Sequence, residues 1–283
     1  MIDQNKRFLI VGLGLLGGSY AKALKQKGYS VSAITRSQST IDYALERGWI
    51  DCGSTAEDPA LIGQADFVVF GLYPHTMIQW IARNQGAFQP GAILTDVSGV
   101  KCNVVDVIQE SLRQDVEFIG SHPMAGKEVS GVQHSDETMF QNANFIITPT
   151  EKNTERGIGF ARELAELLEF QHITSLSIEE HDEMIGFVSQ LTHAVAVSLM
   201  NTSDNTHLKD YTGDSFRDLT RIAKINESLW SELFFLNKKN LVREIDEFIA
   251  SLDDLKQKIA QEDEEGLRKL FVQSTQRRKY FDQ

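Results

Sequence analysis

A buried apolar strand that stops at a glycine-rich turn constrains this chain more than any other feature. The run from Phe8 to Val11 is continuously apolar, which is typical of a parallel strand covered on both faces. Gly12, Gly14 and Gly17 follow at G-x-G-x-x-G spacing, and apolar residues then recur with a helical period. In such a unit the glycines allow a tight turn, close approach of a phosphate and close packing of helix on strand. The sequence therefore predicts a dinucleotide-binding loop.

The start of the helix after this turn is the predicted anion site. Free amides and the positive end of the helix dipole attract phosphate, and the sequence places them at Gly17, Gly18 and Ser19. Leu15 and Leu16, which lie between the glycines, are also expected to contact the cofactor. A glycine-rich turn that only packs a helix on a strand is the alternative, and the flanking strand and helix favour cofactor binding.

The end of the second predicted strand bears on the choice of cofactor. About twenty residues after the glycines, an acidic side chain binds the 2′-hydroxyl of NAD. Thr35 occupies this position, followed by Arg36 and Ser37, so a cation and two hydroxyls are available for a 2′-phosphate. The sequence predicts NADP, with NAD as the alternative. A solvated arginine in a surface loop is the other interpretation of Arg36.

Strands and helices alternate in the first part of the chain and then give way to helices alone. At 283 residues, the chain exceeds the usual size of one domain. Strands are predicted at 8–11, 31–34, 49–51, 67–70, 92–95, 116–120, 145–147 and 172–174, and the later helices at 216–223, 229–249 and 252–281. This pattern predicts an α/β fold with a Rossmann-type, doubly wound parallel sheet over 1–175 and an all-helical domain over 176–283. Ser177 and Glu180 form a capping-box pattern where the helices begin.

The first helix of the predicted helical domain is too apolar for an exposed helix. Its apolar residues are Met184, Phe187, Val188, Leu191, Ala194, Val195 and Leu199. They predict a helix packed against others. A small helical domain with such a helix often shares its core with a second copy, so a homodimer is expected.

Composition excludes several classes of protein. A formal charge of -12 and a pI near 5.1 argue against a nucleic-acid partner. No apolar run is expected to be long enough to span a membrane. Cys52 and Cys102 suit neither a disulfide framework nor a metal knuckle, and the histidines are not at ligand spacing. We therefore expect no metal and a cytoplasmic location.

Polar residues follow the carboxyl ends of the predicted strands, where ligands bind in sheets of this kind. Tyr73 and Pro74 follow one strand and are expected on the nicotinamide side, although turn formation alone would explain Pro74. Ser98 lies in the loop after the next strand, and His122 follows the strand after that. Histidine there can accept a hydroxyl proton during hydride transfer, with Ser98 orienting the hydroxyl or the imidazole. A buried structural histidine is the alternative.

Other dehydrogenase motifs are absent from the sequence. It contains no Tyr-x-x-x-Lys pair, the acid-base pair of short-chain reductases, and no Lys-x-x-x-Asn motif like that of the 6-phosphogluconate and 3-hydroxyisobutyrate dehydrogenases.

Arg217 and Arg221, four residues apart, share a helix face, so one could bind a substrate carboxylate while the other meets a protein carboxylate. Pairing with Asp214 or Asp218 is the alternative.

Several of these motifs together resemble the prephenate/arogenate dehydrogenases of tyrosine biosynthesis. The stretches that carry the resemblance are GLGLLGGS, DVSGVK, SHPMAGKEVSG, HDEMIGFVSQLTHAVAVSL and FRDLTRIA. The resemblance implies oxidative decarboxylation of prephenate to 4-hydroxyphenylpyruvate, or of arogenate to tyrosine. It also implies that His122 takes the proton of the ring hydroxyl, with Ser98 as its neighbour at the nicotinamide.

On the substrate side, the resemblance implies that Arg221 holds a carboxylate and that His193 lines the same pocket. A packed helix histidine is the alternative for His193. Gln190 departs from the pattern, because some relatives have a second histidine there. We further predict that Glu128 pairs with Arg217, since substrate would occupy Arg221.

Three other functions are kept as alternatives. Arogenate differs from prephenate only in an amino group in place of a keto group, and we favour prephenate. A dehydrogenase of the 3-hydroxyacid or 6-phosphogluconate group would share the two-domain layout. A non-catalytic NADP-sensing protein would bind cofactor yet tolerate loss of His122.

Overall fold

The first part of the chain is built on one eight-stranded sheet. A computed structural model describes residues 2–281, so Met1, Asp282 and Gln283, at the ends of the predicted domains, lie outside the described residues. The strands are Arg7–Val11 (β1), Ser30–Ile34 (β2), Cys52–Ser54 (β3), Phe67–Phe70 (β4), Ile93–Asp96 (β5), Glu117–Pro123 (β6), Asn144–Thr148 (β7) and His172–Ser175 (β8). Their order in the sheet is β3-β2-β1-β4-β5-β6-β7-β8.

The topology brings three loops to one edge of the sheet. The first six strands are parallel, and the chain extends the sheet first to one side of β1 and then, from β4, to the other. In sheets of this kind the ligand crevice opens at this switch point, outside the carboxyl ends of the strands. Val11 is level with Phe70, and Phe70 with Asp96, so the loops after β1, β4 and β5 leave the sheet side by side.

Two details of the sheet differ from the sequence prediction. The strand β7 runs antiparallel to β6, and β8 runs parallel to β7, so the sheet is mostly rather than wholly parallel. The third strand is Cys52–Ser54 and not residues 49–51. The apolar Ile50 that suggested a strand is buried because it packs, from the preceding loop, into the core on one face of the sheet.

The alternation of side chains along β1 divides the core into two layers. Phe8 and Ile10 belong to one apolar cluster, whereas Leu9 and Val11 belong to the other. Since successive side chains of a strand point to opposite faces, helices cover both sides of the sheet, as the continuous apolar run predicts. These helices are Leu15–Gln26 (α1), Gln38–Glu46 (α2), Pro59–Ile62 (α3), Pro74–Asn84 (α4), Val105–Ser111 (α5) and Glu155–Leu167 (α6).

Helices make up the rest of the described chain. They are Ile178–Ile185 (α7), Thr192–Asn201 (α8), Asp214–Thr220 (α9), Glu227–Leu236 (α10), Lys238–Ala260 (α11) and Glu264–Arg278 (α12). Ser177 and Glu180 form the predicted capping box, with both reciprocal hydrogen bonds present. A π-helical segment, Gly186–Leu191, joins α7 to α8. The predicted helix 229–249 is wrong: it divides at Asn237, and α11 then continues past residue 250.

The junction of α7 and α8 presents an apolar face to solvent. Met184, Phe187 and Val188 are 48%, 55% and 48% exposed, so the predicted packing of this face against other helices is not made within the described chain. By length and composition alone, Ile178–Asn201 could cross a membrane, contrary to the expectation from the sequence. This is weak evidence for a span, since the first turn carries two carboxylates. An exposed apolar face of this kind equally marks contact with a second protein chain.

Candidate active site

The glycine turn after β1 has the geometry that a dinucleotide requires. Gly12 has a φ of +96°, in the left-handed region that disfavours side chains. A β-carbon at Gly12 would lie 2.6 Å from the carbonyl oxygen of Gly71, and one at Gly17 would lie 2.0 Å from that of Gly12. A β-carbon at Gly14, by contrast, would meet nothing within 4 Å. Two glycines are thus required by packing, and the third leaves space above the backbone.

The amides available to an anion lie earlier than the sequence suggested. Helix α1 begins at Leu15, and within residues 2–281 no acceptor bonds the amides of Leu15, Leu16 and Gly17. The prediction of Gly17, Gly18 and Ser19 as the anion site is therefore wrong for its last two members. The Gly18 amide donates to the Gly14 carbonyl at 2.9 Å, and Ser19, which is buried, donates its hydroxyl to Leu15. The three free amides and the open Gly14 fit the pyrophosphate of a nicotinamide cofactor.

The loop after β2 contains a cation with no partner in the described chain. Arg36 is exposed and forms no ion pair within residues 2–281. The hydroxyl of Ser37 accepts the Thr40 amide at 3.4 Å as the cap of α2, and it also bonds the hydroxyl of Ser39. The Thr35 amide donates to the carbonyl of Ser54. The helix cap therefore already engages Ser37, whereas the guanidinium of Arg36 has no ion-pair partner among the residues that the structure describes.

The loop after β4 connects the sheet to the helices. Pro74 is the first residue of α4 and is buried, while Tyr73 precedes it and remains 37% exposed. The hydroxyl of Tyr73 accepts a hydrogen bond from Asn226, just before α10, at 3.0 Å. Nearby, Glu232 accepts the backbone amide of His75 at 2.7 Å. These contacts hold α10 over the edge of the sheet where the crevice opens.

A buried ion pair organises the loop after β5. Lys101 and Asp96 are both fully buried, and their charged atoms are 2.6 Å apart. Lys101 also donates to the carbonyl of Ser121 at 2.6 Å, and Asp96 accepts the Ser121 amide at 3.0 Å. The hydroxyl of Ser98 bonds Asp96 and the Val100 carbonyl. The predicted contact of Ser98 with the catalytic ring is not among its hydrogen bonds, because its own loop supplies the partners.

His122, near the end of β6, belongs to a chain of three side chains. Its Nδ1 is 2.9 Å from Nε2 of His181, and Nδ1 of His181 is 2.6 Å from the carboxylate of Asp182. Both partners are buried at the start of α7. The carboxylate of Asp182 also accepts the amides of Lys101 and Cys102, at 2.9 and 2.8 Å. Asp182 therefore joins the helices to the loop that carries Ser98.

Burial and the nearby ammonium of Lys101 favour the uncharged form of His122. Dense packing, the His181 ring and the ammonium of Lys101 hold the pKa of His122 well below its ordinary value of 6.5. The other ring nitrogen, Nε2, faces Gly99, where a β-carbon would lie 3.7 Å away. Leu233 of α10 would lie equally close to that β-carbon. The site thus presents a neutral imidazole between the sheet and α10.

The helices contribute a second histidine and an arginine. His193 stacks on Trp230 of α10 with ring centroids 3.7 Å apart, and its Nδ1 donates to the Ser189 carbonyl at 2.8 Å. Burial lowers the pKa of His193, opposed by that hydrogen bond and by Glu128. Arg221 forms an ion pair with Glu128, six residues beyond His122. This ion pair therefore connects the helices on one side of the cleft to the loop after β6 on the other.

The predicted pairing of Glu128 with Arg217 is wrong in this structure. Arg217 instead pairs with Asp214 at 2.6 Å, on its own helix, and donates to the carbonyl of Thr212, just before that helix. A partner within one turn of helix is available without ordering a distant loop. Arg221, and not Arg217, carries the contact to the loop after β6.

Gln190 is buried and forms hydrogen bonds to neighbouring helices. It is 1% exposed within the π-helical segment. Its amide nitrogen donates to the Leu233 carbonyl at 3.2 Å, and its oxygen accepts from Asn237 at 2.8 Å. Asn237 also donates to the carbonyl of Asp182 at 2.7 Å. Gln190 therefore fixes α10 against α7 instead of facing the cleft.

Sequence reasoning missed the partners of the catalytic candidate. His181 was weighed only as a metal ligand, and Asp182 and Lys101 were not singled out. The signal available was the adjacent His-Asp pair just inside a capping box at the change from mixed to helical structure. Its contact with His122, 59 residues away in sequence, is not encoded by any local spacing.

Comparison with known proteins places the chain within one family of dehydrogenases. A family model described as prephenate dehydrogenase, nucleotide-binding domain, matches residues 20–173, and one described as prephenate dehydrogenase, dimerization domain, matches residues 177–273. The prephenate dehydrogenase of Bacillus subtilis is 31% identical over 280 residues, covering 96% of this chain and 75% of the relative. The cyclohexadienyl dehydrogenase of Zymomonas mobilis is 29% identical, with 96% and 95% covered.

A solved structure gives the same result. The prephenate dehydrogenase of A. aeolicus, solved in complex with hydroxyphenyl propionate and NAD+, has a TM-score of 0.90 and 30% identity, covering 99% of this chain and all of that one. Together with the sheet topology, these likenesses define a pyridine-nucleotide-dependent dehydrogenase with a helical C-terminal domain. Because the nucleotide-binding model spans more than half of the sequence, the chain belongs to the prephenate dehydrogenase family. The resemblance inferred from the motifs and the predicted fold class are confirmed.

Proposed function

We propose that this enzyme converts prephenate to 4-hydroxyphenylpyruvate by oxidative decarboxylation, as a step of tyrosine biosynthesis. Family membership supports the choice of substrate. The observation that carries the proposal is the position of the His122 imidazole at the mouth of the crevice, where its Nδ1 lies 2.9 Å from Nε2 of His181. An alcohol that is oxidised by hydride loss must also lose its hydroxyl proton, and an uncharged imidazole can accept that proton near neutral pH.

The residues at the carboxyl ends of β1, β2 and β4 fit the cofactor. We assign the pyrophosphate to the amides of Leu15, Leu16 and Gly17, with Gly12 and Gly14 shaping the turn. Tyr73 and Pro74 lie on the nicotinamide side of the crevice. When bound, the nicotinamide supplies the acceptor for the hydride that leaves the ring carbon bearing the hydroxyl.

We propose NADP over NAD as the preferred cofactor. Arg36 is exposed and unpaired within the described chain, so it can meet a 2′-phosphate without breaking an existing contact. Thr35 is neutral and does not repel that phosphate. Ser37 contributes less than the sequence suggests, because its hydroxyl already caps α2. Its remaining contribution is to hold the loop in place.

His122 is the proposed general base. Its Nε2 takes the proton of the ring hydroxyl as the hydride leaves the same carbon. The ring carboxylate leaves as carbon dioxide, the ring becomes aromatic, and the imidazolium returns the proton to the phenolate oxygen of the product. Ser98 sits in the adjoining loop and, through Asp96 and Lys101, fixes the position of Gly99 beside the imidazole. Ser98 therefore shapes the wall of the site beside the reacting hydroxyl.

Arg221 is the proposed anchor of a substrate carboxylate. Its guanidinium lies at the cleft and pairs with Glu128, a carboxylate that substrate can replace. His193, stacked on Trp230, lines the same side. Its Nδ1 proton is committed to the Ser189 carbonyl, so Nε2 is the atom available to substrate.

Residues 1–175 form the proposed cofactor domain, and residues 176–283 the proposed substrate and dimerisation domain. The exposed face of Met184, Phe187 and Val188 supports a homodimer, since a second copy would remove it from water. Phe187→Asp should lower the mass measured by light scattering from dimer to monomer, whereas an unchanged mass would place the interface elsewhere. We propose a cytoplasmic location because Cys52 and Cys102 are free thiols.

Steady-state kinetics with two substrates and two cofactors test the function. We expect cofactor reduction that depends on prephenate, a lower kcat/KM with arogenate, and a preference for NADP. Reduction with arogenate alone would assign the enzyme to the arogenate branch. Reduction with a 3-hydroxyacid but neither cyclohexadienyl substrate would overturn the assignment, as would cofactor binding without any turnover.

A further inference from the structure

His122, His181 and Asp182 form a hydrogen-bonded series of three side chains, which is more than a neutral general base by itself requires. We propose that His181 and Asp182 are positioning residues that fix the tautomer and orientation of His122, so that Nε2 is the only ring nitrogen able to receive the substrate proton. The inference rests on the proposed function, since it assigns a role to residues behind the proposed base. Neither positioning residue faces the cleft, because both are fully buried.

The direction of each hydrogen bond follows from the far end of the chain. The Asp182 carboxylate already accepts two backbone amides, from Lys101 and Cys102, so it acts as an acceptor toward His181 as well. Nδ1 of His181 therefore carries a proton and donates it over 2.6 Å. In a neutral ring the other nitrogen then has a lone pair, so Nε2 of His181 accepts.

The same logic applies to the next ring. Because Nε2 of His181 accepts, the 2.9 Å contact requires a proton on Nδ1 of His122. Nε2 of His122 is then unprotonated and faces the Gly99 wall of the site. If either histidine carried its proton on the other ring nitrogen, Nε2 of His122 would be protonated and could not act as a base. An Asp–His arrangement that sets a catalytic tautomer in this way affects kcat by about 10⁴-fold in serine proteases.

The neutral state of both rings is needed for this argument, and their surroundings provide it. Burial lowers the pKa of both His122 and His181. The charged groups that face them are the Lys101 ammonium, which lowers both pKa values, and the carboxylates of Asp182 and Asp96, which raise that of His181. When His122 gains the substrate proton, the Asp182 carboxylate offsets the new charge through the His181 ring.

Nuclear magnetic resonance of the ¹⁵N-histidine-labelled enzyme tests the tautomers without any assay of activity. We expect His122 and His181 both to carry the proton on Nδ1 near neutral pH, with the shift of an unprotonated nitrogen at Nε2. A proton on Nε2 of His122 would overturn the proposal. This result does not depend on which substrate the enzyme uses.

A matched pair of variants tests the catalytic consequence. In His181→Gln the side-chain amide can place an acceptor near the former Nε2, whereas His181→Met fills a similar volume without one. We expect His181→Met to lower kcat by about 10²–10⁴-fold, with the KM values for prephenate and cofactor little changed, and His181→Gln to retain most of the rate. The midpoint of the acidic limb of the pH profile of kcat/KM should move in His181→Met and stay close to the wild-type value in His181→Gln, because only the methionine leaves Nδ1 of His122 without a hydrogen-bond acceptor.

The outcomes separate the two proposals. Equal losses in both variants with an unmoved pH profile would make His181 merely structural, as would an unchanged rate in His181→Met. If the wild-type enzyme did not turn over prephenate at all, the proposed function would fail, and the tautomer measurement alone would then decide the arrangement of the three side chains.

Discussion

Replacing Arg221 by alanine should raise the KM for prephenate with little change in kcat. A charge-assisted contact between guanidinium and carboxylate is worth about 1.5–3 kcal/mol. Substrate must first displace Glu128, but the side chains of that pair are 62% and 32% exposed. An ion pair so open to water contributes about 0–1 kcal/mol. The net loss is therefore about 0.5–3 kcal/mol, an increase in KM of about 2- to 150-fold measured by initial rates at saturating cofactor.

Arg217→Ala is the matched control for this experiment. Arg217 lies four residues earlier, is also exposed, and pairs with Asp214 instead of reaching the cleft. It should leave the KM unchanged. The reasoning would be refuted if Arg221→Ala lowered the melting temperature while the KM stayed constant, or if both alanine variants raised the KM equally.

Three further results are expected. His122→Asn should lower kcat by about 10²–10⁴-fold with the KM little changed, and an unaltered rate would remove it from the mechanism. Arg36→Ala should weaken NADP by about ten- to a hundredfold, with NAD nearly unaffected, and Thr35→Asp should shift kcat/KM toward NAD; a wild-type preference for NAD would contradict this. The folded pKa values of His122 and His181 lie below 6.5, so the unfolded chain binds more protons below that pH. The melting temperature should thus be highest above pH 6.5 and fall on acidification, whereas a rise would oppose the pKa directions.

Local patterns in the sequence predict the elements whose physics is local. The continuous apolar run of β1 predicts a strand buried on both faces, and the capping box at Ser177 predicts where the helices begin; the structure has both. The direction of a strand cannot be predicted in this way, because an apolar run has the same pattern in a parallel and in an antiparallel strand. The antiparallel β7 could not be predicted for that reason.

The same distinction between local and tertiary features applies to the candidate site. Motif spacing and the carboxyl-end rule predict that Ser98 and His122 follow neighbouring strands. Ser98 does follow β5, whereas His122 lies within β6, which extends to Pro123 instead of ending at Gly120. The first residue of α1 decides which amides are free, and helix ends are the least predictable part of a helix. The anion site was therefore placed too late, at Gly18 and Ser19. Contacts across the fold, such as that of His122 with His181, depend on tertiary packing alone.

The two amide hydrogen bonds received by Asp182 limit how this enzyme can be recombined. A chimaera that joins the sheet of this chain to a foreign set of helices at residue 176 would break at the natural change of secondary structure. It would nevertheless discard the acceptor for the amides of Lys101 and Cys102 and the imidazole behind His122. A chimaera that exchanges the helical domain therefore has to keep α7 together with the sheet of this chain, although α7 lies beyond the last strand.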